Sequence, residues 1–135
     1  KLTADAYDED GFYRLGDAMR FDDPAVPEKG LLFEGRIAED FKLATGTWAR
    51  VGPLRAARID ALSPFVRDVV IGGADRDDIR ILLFPNPDAC RHAAGLRDDT
   101  PLEAVLMHDA IRQPLKSKLT ELARKSTGSS NRVEL

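Results

Sequence analysis

Apolar positions come in short bursts in the first third of the chain and in longer, periodic runs after it. Residues 12–15 (FYRL) and 18–21 (AMRF) read as two short strands, with Gly16-Asp17 at the bend between them. Asp8-Glu9-Asp10-Gly11 and Asp22-Asp23-Pro24 flank them with turn chemistry, since Asp side chains bond their own backbone and Gly and Pro fit turn geometry. Residues 1–30 hold too few apolar side chains for a core of their own, so this segment is expected to lean on other protein.

Residues 31–34 (LLFE) form a further strand candidate, and residues 41–51 show a rough hairpin pattern with Thr45-Gly46 at the turn. Pro53 suits the first position of a helix that runs to Leu62 and stops before Pro64, with Leu54, Ala57, Ile59 and Leu62 on one face. Residues 67–72 and 79–84 are the two clearest strands, joined by a polar turn and expected to pair antiparallel. The second is apolar on both faces in part and reads as a central strand. Pro87-Asp88 opens a short helix that Gly95 closes. Thr100-Pro101-Leu102-Glu103 marks a helix start, and Val105, Leu106, Ile111, Leu115, Leu119 and Leu122 continue that helix, with Pro114 expected to kink or split it. The fold class predicted is α+β: short β-hairpins followed by a small sheet packed with helices, mainly on one face.

Composition narrows the function. The 135 residues suffice for one domain with a modest core. Net charge is −3, from 20 basic and 23 acidic side chains, which argues against nucleic acid as a partner. No apolar run approaches a membrane span, and the first residues are no signal peptide. The single cysteine, Cys90, fits a reducing, cytoplasmic compartment and reads as a small apolar residue on a helix; with His92 alone it makes no metal site. His108 reads as a half-buried or surface helix residue, and the cluster Lys116, Lys118, Arg124 and Lys125 as a solvated helix end. The Gly- and Ser-containing residues 126–130 lack the Gly-Lys pair of a phosphate-binding loop and read as a helix stop and linker.

Four positions could carry chemistry, and each has a plainer alternative. Asp17 could accept two hydrogen bonds from a ribose diol, or be an ordinary turn aspartate. Arg36 offers a planar fork for phosphate or ribose oxygens, or a salt bridge to Glu34, Glu39 or Asp40. Lys42 could neutralise a phosphate or a polarised carbonyl, or be a solvated strand lysine. Thr45-Gly46-Thr47-Trp48 permits close backbone approach to a ligand at Gly46, or simply supplies a core tryptophan.

Taken together these residues form a pattern. Tyr13-Arg14-Leu15-Gly16-Asp17 resembles the Tyr-Arg-x-Gly-Asp motif of the acyl-adenylate-forming superfamily, and Gly35-Arg36, Phe41-Lys42 and Gly46 resemble its next motif. The stretch GRIAEDFKLATGTWARVGPLR is similar to the feruloyl-CoA synthetase branch. The resemblance implies the C-terminal part of an ATP-dependent acid–thiol ligase. Such an enzyme activates a carboxylic acid, here an aromatic, feruloyl-like one, as acyl-adenylate and passes it to coenzyme A. ATP, coenzyme A and Mg2+ are the implied cofactors of the full-length parent.

Residues 1–36 would be the end of the large N-terminal AMP-binding domain, and residues 37–135 a small mobile domain truncated before its catalytic lysine motif. The missing N-terminal domain is the implied partner, and the fragment alone is expected to be inactive. By this resemblance Asp17 binds ribose, Arg36 contacts ribose or phosphate, Lys42 reaches the phosphate region as the catalytic residue, and Thr45, Gly46, Thr47 and Trp48 line the channel for the thiol. The family's usual hinge residue after Gly-Arg is Asp or Lys, whereas this chain has Ala38, with Glu39 and Asp40 next to it. Two rivals stand beside this reading: an adenylating enzyme that loads a carrier protein, and a stand-alone α+β binding module whose residues 1–36 pack with the rest as one compact body.

Overall fold

A computed structural model describes residues 4–125. Three separate two-stranded antiparallel sheets precede or face a group of four helices. The first pairs β1 (Asp17–Phe21) with β2 (Leu31–Arg36), and the second pairs β3 (Phe41–Lys42) with β4 (Trp48–Ala49). Helix α1 (Val51–Leu62) leads into the third sheet, β5 (Val66–Gly72) with β6 (Arg80–Pro85). Helices α2 (Pro87–Ala94), α3 (Leu102–Met107) and α4 (Asp109–Lys125) complete the described chain. The α+β expectation, with hairpins first and a small helix-packed sheet after, is what the structure shows.

The core begins late. Every buried apolar side chain among the described residues lies between Leu43 and Ile111, and Leu62, Cys90 and Val105 have no exposed surface. The β5–β6 hairpin explains the one-sided packing. Its partners Val69↔Leu83 and Ile71↔Ile81 face the helices, whereas Val70↔Leu82 and the neighbouring Phe84 stay exposed on the other side. Strand β6 pairs only with β5 among the described residues, so the central-strand expectation is corrected: its second apolar face is open.

Helix ends show why these segments fold where they do. The Asn86 side chain accepts from Ala89 N–H at 3.3 Å, Pro87 follows it, and Gly95 closes α2 as predicted. Cys90 lies on α2, and its thiol donates to the Phe65 carbonyl oxygen at 3.4 Å; burial pushes the thiol pKa up. Lys118 of α4 donates to the Ala61 carbonyl at 2.9 Å, tying α4 to the last turn of α1.

Several expected boundaries move. Residues 12–15 do not form a strand: Tyr13 makes one isolated bridge to Tyr7, their rings meeting edge to face at 5.6 Å. The true partner of β1 is β2, which continues through Gly35 to Arg36. Helix α1 starts at Val51, with Pro53 in its third position rather than its first, because the Asp40 carboxylate accepts the Val51 N–H at 2.9 Å. The long helix splits at His108, not at Pro114, which sits within α4. There the His108 ring nitrogen Nδ1 accepts from Ala110 N–H at 3.2 Å, and its carbonyl accepts from Ile111 and Arg112. Thr100 makes no side-chain cap; Pro101 precedes the first helical residue, Leu102. Residues 126–130, read as a helix stop and linker, lie outside the described residues.

Candidate functional site

The hairpin β1–β2 brings together two residues that the sequence singled out separately. Asp17 opens β1 and Arg36 ends β2, and the register makes them cross-strand partners. Arg36 Nε lies 4.0 Å from Asp17 Oδ1, with side-chain exposures of 73% and 31%. That distance permits attraction but no hydrogen bond. The pair therefore presents a fork of donors beside two acceptor oxygens at the open end of the hairpin, and among the described residues no hydrogen bond occupies them. The plainer reading of Arg36, a salt bridge to Glu34, Glu39 or Asp40, does not hold. Glu34 pairs with Arg20 at 2.9 Å and Arg50 at 3.6 Å, and Asp40 is engaged with α1.

Lys42 and the loop after it form a second group. Lys42 is exposed on β3 opposite Trp48. Between them the chain turns at Gly46 (φ 85), where a side chain would be strained, and Gly46 N–H donates to the Leu43 carbonyl at 2.9 Å. Thr45 and Thr47 hydroxyls lie 3.2 Å apart. The loop is braced from behind: Ala44 N–H donates to Arg76 C=O at 2.9 Å, and Asp75 N–H donates to Lys42 C=O at 3.1 Å. Trp48 is 61% exposed, so the core-tryptophan alternative is overturned; Leu43 and Ala49, on either side of the turn, are the buried residues. No hydrogen bond or ion pair joins Asp17 or Arg36 to Lys42 among the described residues.

One feature escaped the sequence reading. An open cleft of about 660 Å³ lies between β2 and α1, lined by Leu32, Phe33, Ala56 and Ile59 and by the charged Arg36 and Arg55. Gly52, in the first turn of α1, makes this close approach feasible, and only its neighbour Pro53 hinted at a special backbone there. Arg55 holds Asp68 through two hydrogen bonds, at 2.9 and 2.7 Å. That contact raises the Arg55 pKa and, with the Val69 N–H, lowers that of Asp68. Arg58, buried on the same helix, has its pKa lowered by desolvation. The basic cluster on α4 serves structure in part: Lys118 caps α1, and Lys125 pairs with Glu121 at 2.6 Å. No group of three or more metal-ligating side chains occurs among the described residues. No helix there is long and apolar enough to cross a membrane.

Small antiparallel sheets with helices packed on them, preceded by an exposed hairpin, make up the C-terminal domain fold of an adenylate-forming enzyme's adenylation domain. The particular likenesses are to carboxylic acid reductases. The chain is 33% identical over 126 residues to the carboxylic acid reductase of Segniliparus rugosus, a match that spans 92% of this chain and 9% of that protein. It is 33% identical over 90 residues to that of Mycobacterium marinum, covering 66% of this chain and 7% of that protein. Among solved structures, the adenylation domain of the carboxylate reductase from Mycobacterium chelonae superposes with a TM-score of 0.63 at 27% identity, over 97% of this chain and 18% of that one. The S. rugosus A domain, solved with AMP and a co-purified carboxylic acid, gives 0.62 at 24% identity, over 98% and 18%. The chain thus spans less than a tenth of the curated relatives it matches. No family model matches it. These similarities support the adenylate-forming resemblance and are with reductases rather than with the feruloyl-CoA synthetase branch.

Proposed function

We propose that this chain belongs to an ATP-dependent enzyme that activates a carboxylic acid as its acyl-adenylate. Residues 1–36 end the large domain, and residues 37–135 form most of the small mobile one. The observation that carries the reading is the Asp17–Arg36 pair: adjacent across the hairpin, Arg36 exposed and Asp17 half-buried, and with free hydrogen-bonding capacity. A ribose diol donates two hydrogen bonds, which the two oxygens of Asp17 can accept, while the Arg36 fork suits phosphate or ribose oxygens. In the reaction, a carboxylate oxygen of the acid attacks the α-phosphorus of ATP and pyrophosphate leaves; Mg2+ enters with the nucleotide. Lys42 and the residues Thr45, Gly46, Thr47 and Trp48 serve the phosphate region and the thiol channel. The exposure of Lys42, Thr45, Gly46 and Trp48 on one braced turn, with Thr47 half-buried among them, is consistent with that role.

The absence of any buried apolar side chain before Leu43 among the described residues favours a borrowed N-terminal segment over a stand-alone binding module. It also fits the exposure of Phe12, Leu15, Phe33 and Leu31, which a large domain would cover. For the second step, the sequence resemblance supports transfer of a feruloyl-like acyl group to the thiol of coenzyme A. The similarity to carboxylic acid reductases favours a second reading, in which the adenylate is passed on to a carrier within a reductase.

The test uses the full-length parent with ATP and a panel of aromatic and aliphatic acids. Acid-dependent pyrophosphate release is expected. Asp17→Ala should reduce it about tenfold or more, the worth of a lost charge-assisted hydrogen bond. A folded parent that turns over no acid, or an undiminished variant, would sink the proposal. Acceleration of AMP release by coenzyme A separates the two acceptors.

A further inference from the structure

We propose that the crossing of β2 and α1 at Gly35 and Gly52 is a seat: a backbone-on-backbone contact that fixes the hairpin against the helical body in one pose and opens when the two rotate. The proposal rests on the two-step reading above and adds the element that defines one of the poses.

Gly35 is the only buried residue before Leu43 among those described. What buries it is Gly52. A Cβ on Gly35 would stand 2.8 Å from the Gly52 Cα; a Cβ on Gly52 would overlap the Glu34 carbonyl group and stand 2.7 Å from the Gly35 Cα. Real side chains do not reach such distances, and the obstacle on each side is backbone, which cannot swing away. The pose seen here therefore requires glycine at position 52.

The interactions around the contact are weak by comparison. Glu34 bridges Arg20 on the hairpin and Arg50 on the approach to α1, but both arginines are more than half exposed, so solvent screens the pairs. The contact is thus strict in shape and loosely held, the behaviour of a stop rather than a glue. The connecting segment agrees. Ile37 N–H donates to the Gly16 carbonyl at 2.9 Å and belongs to the hairpin side; the Asp40 carboxylate accepts from Val51 N–H at 2.9 Å and belongs to the helical side. Ala38 and Glu39 lie exposed between these anchors.

The experiment places spin labels at the exposed positions Asp22 and Asp60 of the full-length parent and measures their separation with ATP plus acid and then with the adenylate plus thiol. Wild type should show two separations whose proportions change between the conditions. Gly52→Val should lose the seated one, while Gly72→Ala, where no atom lies within 4 Å of the added carbon, should leave both. Gly52→Val should also cut one half-reaction about tenfold more than the other. If that variant does not fold, Gly52→Ala carries the same comparison. A single separation in wild type under both conditions, survival of the seated separation in the Gly52 variant, or equal loss of both half-reactions would each overturn the seat. A parent inert toward every acid would strike the catalytic reading instead, with the label separations still judging the seat.

Discussion

Asp17 and Arg36 illustrate how a residue's meaning depends on what stands beside it. In the sequence each had a bland alternative. In the fold they are cross-strand partners with little else to do, at a distance too long for a hydrogen bond. Asp68 is the contrast: its carboxylate is fully used, by Arg55 and by the Val69 N–H, and those bonds hold its pKa below the ordinary value. A carboxyl whose pKa falls on folding stabilises the fold above the unfolded value and ceases to do so as pH drops through the folded one. The urea midpoint of wild type should therefore exceed that of Asp68→Asn at neutral pH, and the gap should close below about pH 4. A gap that persists at low pH would show that the pair does not act through charge.

Elements were legible where local chemistry alone decides them. Helix α2, opened at Pro87 and closed at Gly95, and the β5–β6 pairing were both readable from turn residues and apolar runs. Elements set by distant partners were not. The start of α1 depends on Asp40, outside the helix, and the break between α3 and α4 depends on a histidine ring accepting a backbone N–H, which no capping pattern foretells. His108→Ala should accordingly loosen α4. Loss of a cap is worth about 1 kcal/mol, roughly a fivefold fall in amide exchange protection in its first turns. His108→Asn should restore most of it, and unchanged protection in the alanine variant would show that the ring is dispensable. The core alternative for Trp48 failed for a related reason. A lone tryptophan is read as core unless its strand is known to be a two-residue edge with an exposed face.

Across the whole molecule, stability and the candidate site occupy different ground. Burial is concentrated in α1, the inner face of the third sheet and the helices after it, while the Asp17–Arg36 pair and the Lys42–Trp48 turn lie on exposed hairpins. Leu62, fully buried where α1 ends, should cost about 2–5 kcal/mol when cut to alanine, seen as faster exchange of the β5 and α2 core amides. The pyrophosphate release proposed for the parent should be affected only through the folded fraction. The α+β class could be read from the sequence because it rests on pattern, and the candidate site residues were singled out there by short motifs. The cleft and the glycine crossing could not, because they depend on how two elements distant in function approach each other, and nothing in a glycine's neighbours states what it will touch.

The turn between β5 and β6 braces the loop after β3. Because Arg76 C=O and Asp75 N–H are bonded to the chain on either side of Leu43, that turn works as a shim under the loop that carries Lys42 and Trp48. Its thickness, counted in residues, sets the height at which those two side chains stand. A lengthened or shortened turn would leave Lys42 and Trp48 in place in the sequence and yet raise or lower them together. Relatives that differ in length only there would then differ in reach, a form of tuning invisible to any comparison confined to the motif itself.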